Sequence, residues 1–122
     1  MYCNFVFTQT KTAPSLLVAN QVGNMYTPSL YGGLASFIQS HSHSSILGRR
    51  VILFSYGSGC AASMFSMTFA SSPSNELNRL VDSCSNLQQR LDQRQKVSPA
   101  NFAAAMSLRQ ETHHKGNDCH WY

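Results

Sequence analysis

Acidic residues are missing from the first 75 positions of this 122-residue chain: Lys11, Arg49 and Arg50 stand there without a carboxylate, while Glu76, Asp82, Asp92, Glu111 and Asp118 all come later. A stretch with no Asp or Glu cannot supply a carboxylate general base or ion-paired helix surfaces. It must be held together by apolar burial and by hydroxyl, amide and backbone hydrogen bonds. Only 11% of the whole chain is charged, against about 25% in an average soluble domain. The net charge of +4 is modest, and the bases come singly apart from Arg49-Arg50 and the Arg90/Arg94/Lys96 group. That is not the basic stripe with interleaved aromatics of a nucleic-acid binder. No apolar run approaches the ~20 residues that span a bilayer. Nucleic acid and membrane are therefore excluded as partners, and residues 1–122 are expected to form one segment of a single domain.

Four cysteines, Cys3, Cys60, Cys84 and Cys119, are widely spaced. The opening MYCNFVFTQTK lacks a basic start, a small-residue cleavage site and the Arg-rich amphipathic character of a transit peptide. Reduced thiols in a cytoplasmic protein without a targeting segment are the expectation.

Along the chain, Ser15-Leu16-Leu17-Val18-Ala19 is a short apolar run after Pro14, bounded by the turn-prone Asn20-Gln21-Val22-Gly23-Asn24, and reads as a buried strand. Thr27-Pro28 gives an N-cap followed by proline at the first helical position. Leu30, Leu34, Phe37 and Ile38 then recur at helical spacing, predicting a helix over about 28–40. Gly32-Gly33 weakens that helix by about 1 kcal/mol per glycine unless another backbone packs close. Arg50-Val51-Ile52-Leu53-Phe54 reads as a second buried strand ending at Ser55-Tyr56-Gly57-Ser58-Gly59. Alternation from Ala61 to Ala70 completes a hairpin over 50–70. Ser71-Ser72-Pro73-Ser74 supplies a cap, after which Leu77, Leu80, Val81, Cys84, Leu87 and Leu91 trace one stripe of a surface helix. Ser98-Pro99 repeats the cap-plus-proline signal ahead of a shorter stripe, Phe102, Ala105 and Met106, running to about His113. Strand, helix, hairpin, helix, helix is the order of a layered α/β or α+β fold.

Two loops follow strand-like segments, and ligands in layered sheets sit outside the carboxyl ends of strands. Asn24 offers an amide that both donates and accepts. Ser58 offers a small hydroxyl between glycines that expose backbone N–H groups, chemistry suited to a carbonyl or carboxylate. From composition alone, two tight turns with capping side chains is the simpler reading. Gly57-Ser58-Gly59 lacks the intervening residues of a nucleophile elbow, so Ser58 is a binder and not a hydrolase nucleophile. The apolar company of Cys60 predicts a buried structural thiol, and Cys84 lies on a helix stripe. His113, His114, Cys119 and His120 match no standard zinc spacing, so no metal is expected. His41 and His43 belong to a serine-rich connector, and Arg90, Arg94 and Lys96 to the wet face of their helix.

Gly23-Asn24-Met25-Tyr26-Thr27-Pro28-Ser29-Leu30-Tyr31-Gly32, followed by Phe54-Ser55-Tyr56-Gly57-Ser58-Gly59, resembles the 3-hydroxy-3-methylglutaryl-coenzyme A synthase family. The likeness runs from about Phe7 to His114, taking in Pro14-Ser15-Leu16-Leu17-Val18, Leu34-Ala35-Ser36, Val97-Ser98-Pro99 and Arg109-Gln110-Glu111-Thr112-His113-His114. The resemblance implies the C-terminal part of a longer, dimeric polypeptide with a thiolase-like α/β fold, in which helices pack on mixed sheets. This chain is then expected to be a piece of such a fold, with the divergent ends 1–6 and 115–122 truncated or spliced. Family members acetylate a cysteine from acetyl-CoA, condense the acetyl group with acetoacetyl-CoA, and hydrolyse the thioester to release 3-hydroxy-3-methylglutaryl-CoA for the mevalonate or ketone-body pathway. They act in the cytoplasm, or in mitochondria where a precursor carries a transit peptide, and need no cofactor beyond their acyl-CoA substrates. The family's cysteine, glutamate and histidine lie upstream of the matched region, so none of the four cysteines inherits the nucleophile role and the chain is expected to be inactive alone. What the resemblance carries over is substrate contact by Asn24 and Ser58, with Tyr26, Tyr56 and Gly59 shaping the pocket wall. The alternative is a non-catalytic isoform that binds a full-length synthase subunit through exposed strand edges.

Overall fold

The structure, a computed structural model, describes residues 8–113. Contacts divide the chain into two compact units, Met1–Asp92 and Gln93–Tyr122. The first opens with a π-helical turn, Thr8–Thr12, and a 3-10 turn, Ala13–Ser15. It continues with helices α1 (Leu17–Val22), α2 (Pro28–Gln39) and α3 (His43–Ile46), strands β1 (Arg50–Tyr56) and β2 (Ala62–Thr68), and helices α4 (Asn75–Ser85) and α5 (Leu87–Asp92). The second contains helix α6 (Pro99–Thr112), whose N-cap Ser98 accepts a hydrogen bond from the Asn101 N–H. No helix among the described residues is long and apolar enough to cross a membrane.

The run expected to be a strand at 15–19 is helical. Its apolar residues are too few for periodicity to separate strand from buried helix, and tertiary partners decide. Among the described residues no strand pairs with it; instead the Val18 N–H donates to Ser36 Oγ at 3.0 Å. Val18 packs inward against α2, while Asn20 and Gln21, read above as a turn, form the wet side of the helix. Gly23 then stops α1 with φ +81° and ψ −158°, a region open essentially only to glycine.

Helix α2 begins where expected, with Pro28 at its first turn, but Thr27 makes no side-chain cap. Of the two glycines, Gly32 is the one that close packing demands. A Cβ there would lie 2.8 Å from Met25 Cε and 3.1 Å from Val18 Cγ1, so its absence lets α1 and the following loop close on α2. One turn on, Ser36 is fully buried; its hydroxyl accepts from Val18 N and donates to Gly32 O at 2.7 Å. Ser36→Ala is expected to destabilise the fold by about 1–3 kcal/mol, because it strands the Val18 N–H without a partner. Thermal or urea unfolding checks this, and a neutral result would mean that the Val18 N–H has another acceptor.

The hairpin is antiparallel, with register Arg50↔Thr68, Ile52↔Ser66, Phe54↔Met64 and Tyr56↔Ala62, so the pairing is purely antiparallel and not mixed among the described residues. Its two faces differ. Leu53 is buried and Val51 half-buried on the side facing the helices, whereas Ile52, Phe54, Tyr56 and Met64 on the other side are open to solvent. The expected fully buried strand is therefore covered on one face only, and every residue of β2 is exposed. Phe69, just past β2, joins Ile38, Ile46, Leu77 and Val81 in the core, with Leu34, Phe37, Leu47, Val51 and Cys84 packed around them.

Ser74 caps α4 by accepting from the Leu77 N–H at 3.1 Å. The stripe expected to continue unbroken to Leu91 is interrupted at Asn86, between α4 and α5. Ser83 and Ser85 donate back to Arg79 O at 2.6 Å and Asp82 O at 2.7 Å, and such back-bonding bends a helix. Leu80, expected on the buried stripe, is exposed.

Candidate functional site

The loop between α1 and α2 is organised by two side chains. Asn24 Oδ1 accepts from the Tyr26 N–H at 2.7 Å and from the Ser29 hydroxyl at 3.2 Å. Ser29 Oγ in turn accepts from the Met25 N–H at 2.8 Å, so that its proton and one of its two lone pairs are used. A further bond from Ser29 N to Tyr26 O, 3.0 Å, closes the turn onto the helix. Tyr26 sits at φ +60°, a left-handed conformation that costs a non-glycine residue about 1–2 kcal/mol. The Asn24 carbonyl on its N–H offsets part of that strain.

These bonds also settle which way the carboxamide faces. A backbone N–H and a hydroxyl proton both point at one atom of the Asn24 head group, and only the oxygen can accept them. The Nδ2 amine, with two N–H donors, is left on the exposed side with no partner among the described residues. Asn24 therefore presents a donor, held by its own acceptor.

The second loop joins β1 to β2. Gly57 N donates to Ala61 O at 2.9 Å, closing a turn that carries Ser58, Gly59 and Cys60 at its tip. Ser58 is exposed and its hydroxyl has no hydrogen-bond partner among the described residues, so it is free to rotate toward a ligand. Tyr56 ends β1 with its ring stacked on Phe54 at a centroid distance of 6.2 Å. Neither loop contains a charged residue; what they offer is neutral N–H and O–H donors beside aromatic rings. No hydrogen bond among the described residues ties the 24–26 loop to the 57–61 turn.

Tyr26, Tyr56 and Gly59 are exposed at these two loops. Cys60, expected to be a buried thiol, is exposed, because it lies on the turn beyond the strand where no core residue reaches it. Cys84 is half-buried on α4, and desolvation pushes its thiol pKa up, which keeps it un-ionised and unreactive at neutral pH. No group of three or more His, Cys, Asp or Glu side chains that could hold a metal lies among the described residues. His114, Cys119 and His120 of the suspected cluster, and Cys3, fall outside those residues.

Ser29 and the Met25 N–H belong to the site although nothing in the Gly23-to-Gly32 motif assigns either a role. The signal was present: an Asn whose carbonyl can bond the backbone two residues on, followed by a serine in the first turn of a helix, is the composition of a side-chain-closed loop.

Residues 3–120 match the family described as hydroxymethylglutaryl-coenzyme A synthase C terminal. The chain is 49% identical over 109 residues to hydroxymethylglutaryl-CoA synthase 2 of Blattella germanica, covering 88% of this chain and 24% of that one. It is likewise 49% identical to the cytoplasmic synthase of Gallus gallus, covering 88% of this chain and 21% of that one. With the mitochondrial synthase of Rattus norvegicus the identity is 47%, with 88% and 22% covered. The structure of MvaS in complex with 3-hydroxy-3-methylglutaryl coenzyme A superposes with a TM-score of 0.65 at 33% identity, over 81% of this chain and 22% of that one. The chain thus spans between a fifth and a quarter of the length of these relatives. Its helices and hairpin are a part of the thiolase-like α/β fold, and the chain belongs to the hydroxymethylglutaryl-coenzyme A synthase family, as its C-terminal region.

Proposed function

We propose that this chain supplies part of the acyl-CoA pocket of a hydroxymethylglutaryl-CoA synthase, the transferase that condenses acetyl-CoA with acetoacetyl-CoA. The observation that carries the reading is the Asn24 carboxamide, locked by Tyr26 and Ser29 so that its two N–H donors are presented outward. In the condensation an acetyl carbanion equivalent attacks the ketone carbon of the acetoacetyl group, and the ketone oxygen gains a full negative charge. A donor fixed in advance stabilises that oxygen in the transition state more than in the ground state. Asn24 Nδ2 and Ser58 Oγ are assigned this role, with Tyr26, Tyr56 and Gly59 forming the wall around the acyl chain. The acetylated cysteine and its acid–base partners belong to the upstream part of the synthase, so the isolated chain is expected to form no product. The reaction needs no resident cofactor, and assembly as a homodimer follows the family. Relatives carry both cytoplasmic and mitochondrial names; we assign this chain to the cytoplasm.

The test is a transplant. Residues 8–113 replace the matching stretch of the Blattella germanica synthase, and product formation is measured with acetyl-CoA and acetoacetyl-CoA. Condensation within about tenfold of the parent supports the reading. Acetylation of the cysteine with no condensation would sink it.

A second reading is favoured by the hairpin. Ile52, Phe54, Tyr56 and Met64 form an exposed apolar face, and among the described residues each strand is paired along one edge only, which suits docking on a full-length synthase subunit without catalysis. Co-purification with an intact synthase, abolished by Phe54→Asp, would favour this reading over the first.

A further inference from the structure

We infer that Ser29 is a positioning residue for Asn24: its hydroxyl, bridging the Met25 N–H and Asn24 Oδ1, holds the carboxamide so that both Nδ2 protons face outward from the loop. The inference rests on the proposed role of Asn24 as a donor to substrate and names what makes that donor effective.

Two acceptor contacts fix the carboxamide, and they are not equivalent. The bond from Tyr26 N, 2.7 Å, comes from a backbone group and fixes where Oδ1 sits. By itself it leaves the head group able to swing about that single bond. The second contact, from Ser29 Oγ at 3.2 Å, approaches from α2 and removes that freedom. Ser29 can do this because its own orientation is set: the Met25 N–H at 2.8 Å takes one of its two lone pairs, the hydroxyl proton points away from that N–H, and Asn24 Oδ1 accepts it. Ser29 itself is half-buried in the first turn of α2, and that helix is anchored by Ile38 in the core. Rigidity therefore passes from core to helix, from helix to Ser29, and from Ser29 to the amide. A donor that does not have to be reoriented as charge develops is worth most in the transition state.

The first test uses the whole 122-residue chain labelled with ¹⁵N. Relaxation of the Asn24 side-chain NH₂ should report an ordered group, and Ser29→Ala should move it toward the flexible range, with order parameters below about 0.6. Ser29→Thr, which keeps the hydroxyl, should restore order. An Asn24 amide as rigid in Ser29→Ala as in the parent overturns the inference.

The second test uses the transplanted synthase. Ser29→Ala should lower kcat about ten- to a hundredfold with little change in KM, Ser29→Thr should recover most of it, and Ser29→Ala added to Asn24→Ala should lower it no further. Additive losses, or no recovery by threonine, would mean that Ser29 serves the loop and not the amide. Should Asn24→Ala itself leave kcat intact, the reading of Asn24 as a donor fails; should Asn24→Ala slow condensation while Ser29→Ala does not, the inference about Ser29 fails alone.

Discussion

Asn24→Asp is expected to leave the 23–29 loop folded and yet to slow condensation by about 10²–10³-fold, the loss typical of removing one fixed donor to a developing oxyanion. The substitution separates the two halves of the side chain. A carboxylate keeps an oxygen where Oδ1 stood, so the Tyr26 N–H and the Ser29 hydroxyl retain their acceptor, and the bonds strengthen because the acceptor is now charged. The other oxygen replaces Nδ2, so two donors are exchanged for a negative charge facing the oxygen that must itself become negative. Asn24→Ala removes acceptor and donor together. The two variants should therefore rank in opposite orders: aspartate the more stable and the slower, alanine the less stable and the faster. Measured in the transplanted synthase, with acetylation of the cysteine as a control that neither variant changes, this crossing identifies a donor. If Asn24 only braces its loop, aspartate should be close to the parent in rate and alanine the worse of the two.

How much of this was legible in the sequence depends on whether a residue's partner lies nearby along the chain. Ser74 and Ser98 were readable as caps because each bonds an N–H three residues on. The hairpin was readable because alternation and a glycine turn are local signals, and the close approach at Gly32 was implied by a glycine inside a helix. The strand expected at 15–19 failed because its deciding contact, Val18 N to Ser36 Oγ, spans 18 positions. Thr27 looked like a cap but takes helical angles itself, leaving loop closure to Asn24 and Ser29. Cys60 was read as buried from its neighbours, although a residue at the tip of a turn has no second layer above it. Of the site, Asn24 and Ser58 could be picked out by chemistry alone. The direction in which Asn24 presents its amide could not, since it depends on which protons point at it.

Ile46→Ala is expected to be the most damaging single core change among the described residues, lowering stability by about 2–5 kcal/mol. Ile46 ends the four-residue helix α3 and is 0% exposed. It shares the core with residues of two helices, Ile38 of α2 and Leu77 and Val81 of α4, and with Phe69 of the connector beyond β2. That placement joins the hairpin to the helices, so the cavity left by three missing carbons cannot be closed by moving one neighbour without pulling another away. The loss is large relative to what there is to lose. Among the described residues the buried apolar ones are Val18, Ile38, Ile46, Leu53, Phe69, Leu77 and Val81, a small core for a fold whose total stability would ordinarily be about 5–15 kcal/mol. Ile52→Ala is the matched control, the same chemical change at a side chain that is 69% exposed on the uncovered face of β1, and it should shift stability by no more than about 0.5 kcal/mol. Urea unfolding of the two variants beside the parent decides the matter. Equal losses would mean that the outer hairpin face is covered by another chain in solution, which would turn the weight of argument toward the docking reading. A small loss for Ile46 alone would mean that the core is centred elsewhere. The expected outcome, a large loss at Ile46 and almost none at Ile52, would establish that the helices hold one face of the hairpin and that the 57–61 turn carrying Ser58 is presented from that one-sided support.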